Sequence, residues 1–169
     1  MLKIAGEEDA EQISALMKEV YERLEDRSLY VCDGIDYVKR HIRDEGFIVI
    51  AGTPDGKPVG SLLVRYPRLQ EDNLGRDLGF SEEELPKVVH MESAVVLPEY
   101  RGNALQSRML TYAEEQIDKR KYVHFLATVS PDNPASYKTF EKHGYRCRMT
   151  KEKYGGLMRR IYWKKVDRE

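Results

Sequence analysis

Apolar residues recur along this chain with two different periods, and the alternation between them lays out most of its elements. Leu2 to Ala5 alternates weakly, which predicts a short first strand. From Glu8 the apolar positions Ala10, Ile13, Leu16, Met17, Val20, Tyr21 and Leu24 fall three and four apart, the spacing of an amphipathic helix. Ile35, Val38 and Ile42 predict a second, shorter helix from about Ile35 to His41, with Gly46 placed to cap its C-terminal end. Then the period shortens. The β-branched run FIVIAG (47–52) predicts a strand, Asp55-Gly56 within TPDGKPVG a hairpin turn, and SLLVRY (61–66) the returning strand. Gly60, just ahead of that strand, predicts a bulge or a close backbone approach.

Residues 67–87 are the least regular. Ser81 followed by Glu82, Glu83 and Glu84 resembles a helix start, but Pro86 limits that helix to about one turn. Leu69, Leu74, Leu78, Phe80 and Leu85 give the stretch something to bury, so it reads as an ordered excursion between strands; a lid over a site fits the same residues. VVHMESAVVL (88–97) is the strongest strand signal. Leu105, Met109, Tyr112 and Ala113 then share one side of a helix continuing to about Lys119. YVHFLATV (122–129) predicts a buried strand, and NPASYKTFEKHG (133–144) a helix with Pro134 in its first turn and Gly144 at its end. YRCRMTKEKY and LMRRIYWKKV flank Gly155-Gly156 as a closing hairpin. No repeat, low-complexity run or linker interrupts residues 1–169, so the expectation is one domain mixing α and β.

Composition narrows the classes. Lys plus Arg (28) nearly balances Asp plus Glu (29), without the basic excess of nucleic-acid or acidic-membrane binders, so neither partner is expected. The alternating charges of LMRRIYWKK read as an exposed strand. Cys32 and Cys147 form no zinc-type spacing and no disulfide framework, and His41, His124 and His143 no ligand set; all five read as structural, with no metal. The start, MLKIAGEEDAEQ, lacks a signal-peptide pattern, and no apolar run nears the roughly 18 residues of a membrane span, which predicts a cytoplasmic protein.

One stretch calls for chemistry. In VVLPEYRGNALQSRML (95–110) an apolar strand stops at Pro98, crosses Arg101-Gly102-Asn103 and enters a helix, with no Asp or Glu from Arg101 to Ala113. The first amides of a helix have no internal acceptor and carry the positive end of its dipole, so a turn of this kind suits an anion; a plain connection with a solvated arginine fits the same residues. The stretch resembles the acetyl-CoA-binding motif of the GCN5-related N-acetyltransferase (GNAT) superfamily through Val96, Pro98, Tyr100, Arg101 and Gly102. NPASYKTFEKHGY (133–145) resembles the family's downstream segment, and the order of elements agrees over nearly the whole chain.

That resemblance implies a central, mixed, mostly antiparallel twisted sheet of about seven strands with helices on both faces. It implies acetyl-CoA as co-substrate and an amine, on a small molecule or a protein, as acceptor. The backbone of Ala94, Val95 and Val96 would pair with the pantetheine arm. Arg101 and the amides of Gly102, Asn103, Ala104, Leu105, Gln106 and Ser107 would cradle the diphosphate, and Asn133, Ser136 and Phe140 would line the arm. Ala104 and Gln106 stand where the family usually has glycine or a small residue, which costs little if φ at Ala104 is negative. A non-catalytic acetyl-CoA sensor is the alternative function.

An alkyl ammonium is neutral only about once in 10³ at pH 7, so transfer needs a base. Strict alternation along 88–97 puts His90, Glu92, Ala94 and Val96 on one face, which nominates Glu92 as base and His90 as its alternative. The family's usual proton-donating tyrosine is Phe140 here. Tyr137, one turn earlier, is the substitute, and Tyr154 beside Gly155 is placed to close the cleft. The acidic residues of 67–87 suggest a rim favouring a cationic acceptor. A monomer, or a dimer formed through an edge or exchanged final strand, is expected.

Overall fold

The computed structural model describes residues 1–102 and 104–167. Its strands are β1 (Leu2–Ile4), β2 (Gly46–Gly52), β3 (Pro58–Arg65), β4 (Val88–Val96), β5 (His124–Val129), β6 (Arg146–Lys153) and β7 (Leu157–Lys165). Its helices are α1 (Ala10–Glu22), α2 (Ile35–Arg43), α3 (Leu105–Gln116) and α4 (Pro134–Lys142). The strands form one seven-stranded sheet in the order β1-β2-β3-β4-β5-β7-β6, mixed as expected, with β4–β5 its single parallel pair.

Helices cover both faces. A Cβ added at Gly60 of β3 would lie 3.3 Å from Met109 of α3. On the opposite face, Glu92 of β4 meets Tyr37 of α2. The main core runs through the sheet, with Ile13, Met17, Val38, Val49, Leu62, Leu63, Met109, Ala113 and Phe125 fully buried. A smaller cluster of Leu74, Val88, Leu126 and Ile161 seals the 67–87 excursion onto the sheet. Leu69, expected to be buried, is 55% exposed. Its place in the excursion is held by its carbonyl, which accepts from Arg76 Nη2 at 2.6 Å.

Two glycines are fixed by close approach. Gly46 was expected to cap α2, but that helix ends at Arg43 and Gly46 opens β2, where a Cβ would sit 1.8 Å from the Val64 carbonyl oxygen. At Gly60 both expectations hold: a Cβ would lie 3.1 Å from the Val95 oxygen, and the β2–β3 register shifts beside it, Ala51 pairing with Gly60 but Gly52 with Pro58. α3 stops at Gln116, short of Lys119, because buried Ile117 turns extended (φ −85°, ψ 132°).

The largest departure from the simple pattern lies in β4. Leu63 pairs with Glu92 but Ser61 pairs with Val95, so three steps of β4 oppose two of β3, and Ser93 takes a left-handed φ of 51°. This bulge breaks the alternation. His90, Glu92 and Val95 share one face, and Ala94 and Val96 do not join them as strict alternation predicted. β4 also parts from β5: their ladder joins Val88–His90 to His124–Leu126 and stops there.

Candidate active site

Beyond His90 the diverging strands leave a cavity of about 1120 Å³, lined by β4 from Met91 to Val96, by Thr128 to Ser130 after the ladder, and by the starts of α3 and α4. The positions expected to hold the co-substrate come together on it: Ala94, Val95, Val96, Arg101, Gly102, Ala104, Leu105, Gln106, Ser107, Asn133, Ser136 and Phe140 all line this cleft. Asn103 lies outside the described residues.

The corner between β4 and α3 is a tight backbone turn. Gly102 has φ 84° and Ala104 φ 56°, ψ 27°. The condition for a mild glycine-to-alanine exchange is therefore not met: left-handed backbone costs an alanine about 1–2 kcal/mol. Arg101 Nε donates to the Val96 carbonyl at 3.2 Å, tying the turn to the strand it follows. The first helical bond of α3 runs from Arg108 N to Ala104 O (2.9 Å), so the amides of Leu105, Gln106 and Ser107 have, by position, no acceptor within the helix. The side chains here reach sideways to α4: Gln106 Nε2 donates to Ser136 Oγ (3.1 Å), and Ser107 Oγ meets His143 Nε2 (2.7 Å). Asn133 caps α4 through Oδ1, which accepts from Ser136 N at 3.3 Å. Phe140 is buried against Tyr145, ring centroids 5.0 Å apart, and forms the floor of the cleft.

The other arm of the cleft is polar. The Leu74 amide donates to His90 Nε2 at 3.0 Å, which requires that nitrogen to be unprotonated; His90 then carries its proton on Nδ1, 3.1 Å from Glu92 Oε1. Both ring nitrogens are engaged. Glu92 also accepts from the Tyr37 hydroxyl (2.5 Å) and lies 3.5 Å from Arg65 Nη1. Burial alone would raise the Glu92 pKa, but the hydrogen bonds from His90 and Tyr37, with the charge of Arg65, outweigh it and hold the carboxyl below its usual value. Three of the roughly four acceptor directions of a carboxylate are thus taken, leaving one for a ligand.

Asp33, in the connection between α1 and α2, lines the same wall and accepts from the Ser93 hydroxyl of the bulge. Burial pushes its carboxyl up to about 6, the Ser93 hydroxyl pulls it down, the charge of Glu92 raises it further, and Arg65 lowers it. Arg65 itself is held by Asp72 of the excursion, at 2.6 and 2.9 Å. Half of the rim expected to be acidic is consumed in such pairs: besides Asp72, Asp77 binds Lys151 and Lys153, and Glu84 binds His124 (2.9 Å) and Lys87 (3.3 Å). These ties fix the excursion to the sheet.

Tyr137 does not reach the cleft. Ser136, Thr139 and Phe140 form the lining face of α4, and Tyr137 lies about 100° round the helix from Ser136, its ring under the Arg160 guanidinium at 4.4 Å. The phenol that does enter is Tyr154, from the β6–β7 turn, whose hydroxyl is 2.8 Å from Thr128 Oγ1. Its φ of 52° again stores strain that a glycine would avoid. Sequence reasoning missed Asp33, Tyr37, Arg65 and Ser93. Asp33-Gly34 before a helix looks like an ordinary cap, and nothing in a periodic pattern announces a bulge.

A parallel strand pair opened by a bulge, and ending at a helix start free of carboxylates, is the frame of an acyl-CoA-dependent acetyltransferase. Residues 10–145 match the acetyltransferase (GNAT) family, and the chain belongs to it. No curated protein matches by sequence. Among solved structures, a GNAT-family acetyltransferase from Streptococcus pneumoniae superimposes with a TM-score of 0.76 at 17% identity, covering 99% of each chain. A ribosomal-protein-alanine N-acetyltransferase from Brucella melitensis gives 0.73 at 18% identity, over 98% of this chain and 99% of its own. A phosphinothricin acetyltransferase from Sinorhizobium meliloti, in complex with acetyl-CoA, gives 0.71 at 13%, over 98% and 88%. At these identities the likeness is one of fold.

Proposed function

We propose that the protein acetylates an amine, using acetyl-CoA in a direct transfer. The observation that carries this is the end of β4–β5 pairing after His90, which turns the β4 edge from Met91 to Val96 toward a cleft with α3 amides at one end and Glu92 at the other. An amide-bearing arm would add to β4 as a short strand would, and a diphosphate would sit at the Gly102–Ser107 corner, where no acidic side chain competes. Bound there, acetyl-CoA supplies an activated acetyl group.

Glu92 takes the proton that the acceptor ammonium must lose, and His90 and Tyr37 hold the carboxylate in place for it. His90, with Nε2 occupied by the Leu74 amide, positions and does not act as base. Tyr154 returns a proton to the departing thiolate. One observation favours a second reading of the base: Asp33, at about 6, is better matched to neutral pH than Glu92.

Calorimetry should show acetyl-CoA binding with a Kd of about 1–100 μM, and an amine panel should elicit thiol release. No binding heat at millimolar acetyl-CoA would overturn the proposal; binding without thiol release would make the protein a sensor. Tyr154→Phe should lower kcat about tenfold, less than a typical acid because a thiolate with pKa near 8.5 leaves partly unassisted. An unchanged kcat would remove Tyr154 from the mechanism.

A further inference from the structure

The cleft contains a cation that the transfer mechanism does not use. Arg159 of β7 is 4% exposed and lines the cleft, yet its bonds are to carbonyl oxygens, Met158 O at 3.0 Å and Ser28 O. Among the described residues it forms no ion pair. Asp26, the acidic group whose charge it feels, is solvent-facing and lies beyond ion-pair distance. The guanidinium sits 6.0 Å from the Tyr154 ring centroid. Asp33, which lines the same cleft and whose charge also reaches the Tyr154 phenol, is held by the Ser93 hydroxyl, with no cation at ion-pair distance among the described residues, since Arg65 is taken by Asp72 and Glu92.

The cleft therefore offers a carboxylate at Asp33 and a guanidinium at Arg159 that do not pair with each other, and the Tyr154 phenol feels the charge of both. Each is partly desolvated, and burial of a charge without a counter-charge is unfavourable. Had the two been meant to neutralise each other, they would touch. A simple alkylamine would compensate Asp33 and leave Arg159 as it is, and a polyamine would meet repulsion at Arg159.

We infer that the acceptor is an amine that also bears an anionic group, a carboxylate in the simplest case, with Asp33 and Glu92 receiving the ammonium and Arg159 the anion. This rests on the acetyl-transfer reading above and narrows its substrate class. The length of chain between amine and carboxylate in the best acceptor then reports the separation of Asp33 and Arg159 in the cleft. Arg159 suits the task because a planar guanidinium can bind a carboxylate through two parallel hydrogen bonds.

The probes are ω-aminocarboxylates of increasing chain length and n-alkylamines of the same lengths, assayed by thiol release at saturating acetyl-CoA. The best aminocarboxylate should exceed its matched alkylamine by about 30-fold in kcat/KM. Arg159→Gln should erase most of that ratio through KM, and Arg159→Lys should restore part of it. Acetyl-CoA binding by calorimetry, run on each variant, shows that the fold persists. Alkylamines matching aminocarboxylates at every length, a ratio unmoved by Arg159→Gln, or no turnover of either series by a protein that binds acetyl-CoA would each overturn the inference and leave the co-substrate reading standing. Absence of acetyl-CoA binding by the unaltered protein would overturn both.

Discussion

Replacing Glu92 with glutamine should lower kcat about 10²- to 10³-fold, the range lost when a positioned base is removed, with acetyl-CoA affinity changed less than about threefold. Glutamine keeps the shape of the side chain but cannot accept a proton, and it must meet the donors Tyr37, His90 and Arg65 with one oxygen and one NH2 group. Some loss of thermal stability will accompany the loss of rate, and cofactor titration separates the two. The pH profile adds a sign. His90, Tyr37 and Arg65, overcoming burial, depress the Glu92 carboxyl, so it stays ionised through the neutral range and produces no limb there. Asp33, raised to about 6 first by burial, loses its proton near that pH, so kcat/KM should rise through pH 6 as the amine-binding carboxylate forms. Because the Glu92 charge contributes to that rise, the limb should move to lower pH in Glu92→Gln. If Asp33→Asn abolished turnover while Glu92→Gln kept full kcat, the base would be Asp33.

Gln106→Glu should have opposite effects on binding and on the fold. A carboxylate in the first turn of α3 meets the positive end of that helix and should leave the melting temperature unchanged or slightly higher, a gain of about 0.5 kcal/mol. The same charge would stand beside the diphosphate and raise the Kd for acetyl-CoA about 30- to 100-fold at low salt. Added salt should narrow the gap. Equal affinity for the glutamate variant, measured by calorimetry, would mean that the diphosphate does not occupy this corner.

How far the sequence reaches is visible in particular residues. The first helix, present as Ala10–Glu22 and ending short of Leu24, the hairpin at Asp55-Gly56 and the α4 end at Gly144 follow from local periodicity and turn chemistry. The turn proposed to hold the cofactor was legible because glycine placement and missing carboxylates are written in consecutive residues. The polar wall proposed to receive the acceptor was not, because it is assembled from the loop at Asp33, α2 at Tyr37, β3 at Arg65 and β7 at Arg159. Strict alternation put Ala94 and Val96 beside Glu92, whereas the extra residue at Ser93 turns them to the other face and brings a serine hydroxyl to Asp33. Tyr137 failed for a similar reason: neighbouring turns of a helix share a side only approximately, and Arg160 had already claimed that ring.

The short ladder between β4 and β5 has a consequence for the molecule as a whole. Four strands lie on one side of that seam and three on the other, stitched by the short ladder of Val88–His90 with His124–Leu126 and by one backbone bond just before it, from Val123 N to Lys87 O. A ligand that fills the gap supplies cross-links between the two flanks that the polypeptide itself omits. The abundance of such a ligand in the surroundings would then set how tightly the flanks are clasped as well as how often the enzyme turns over.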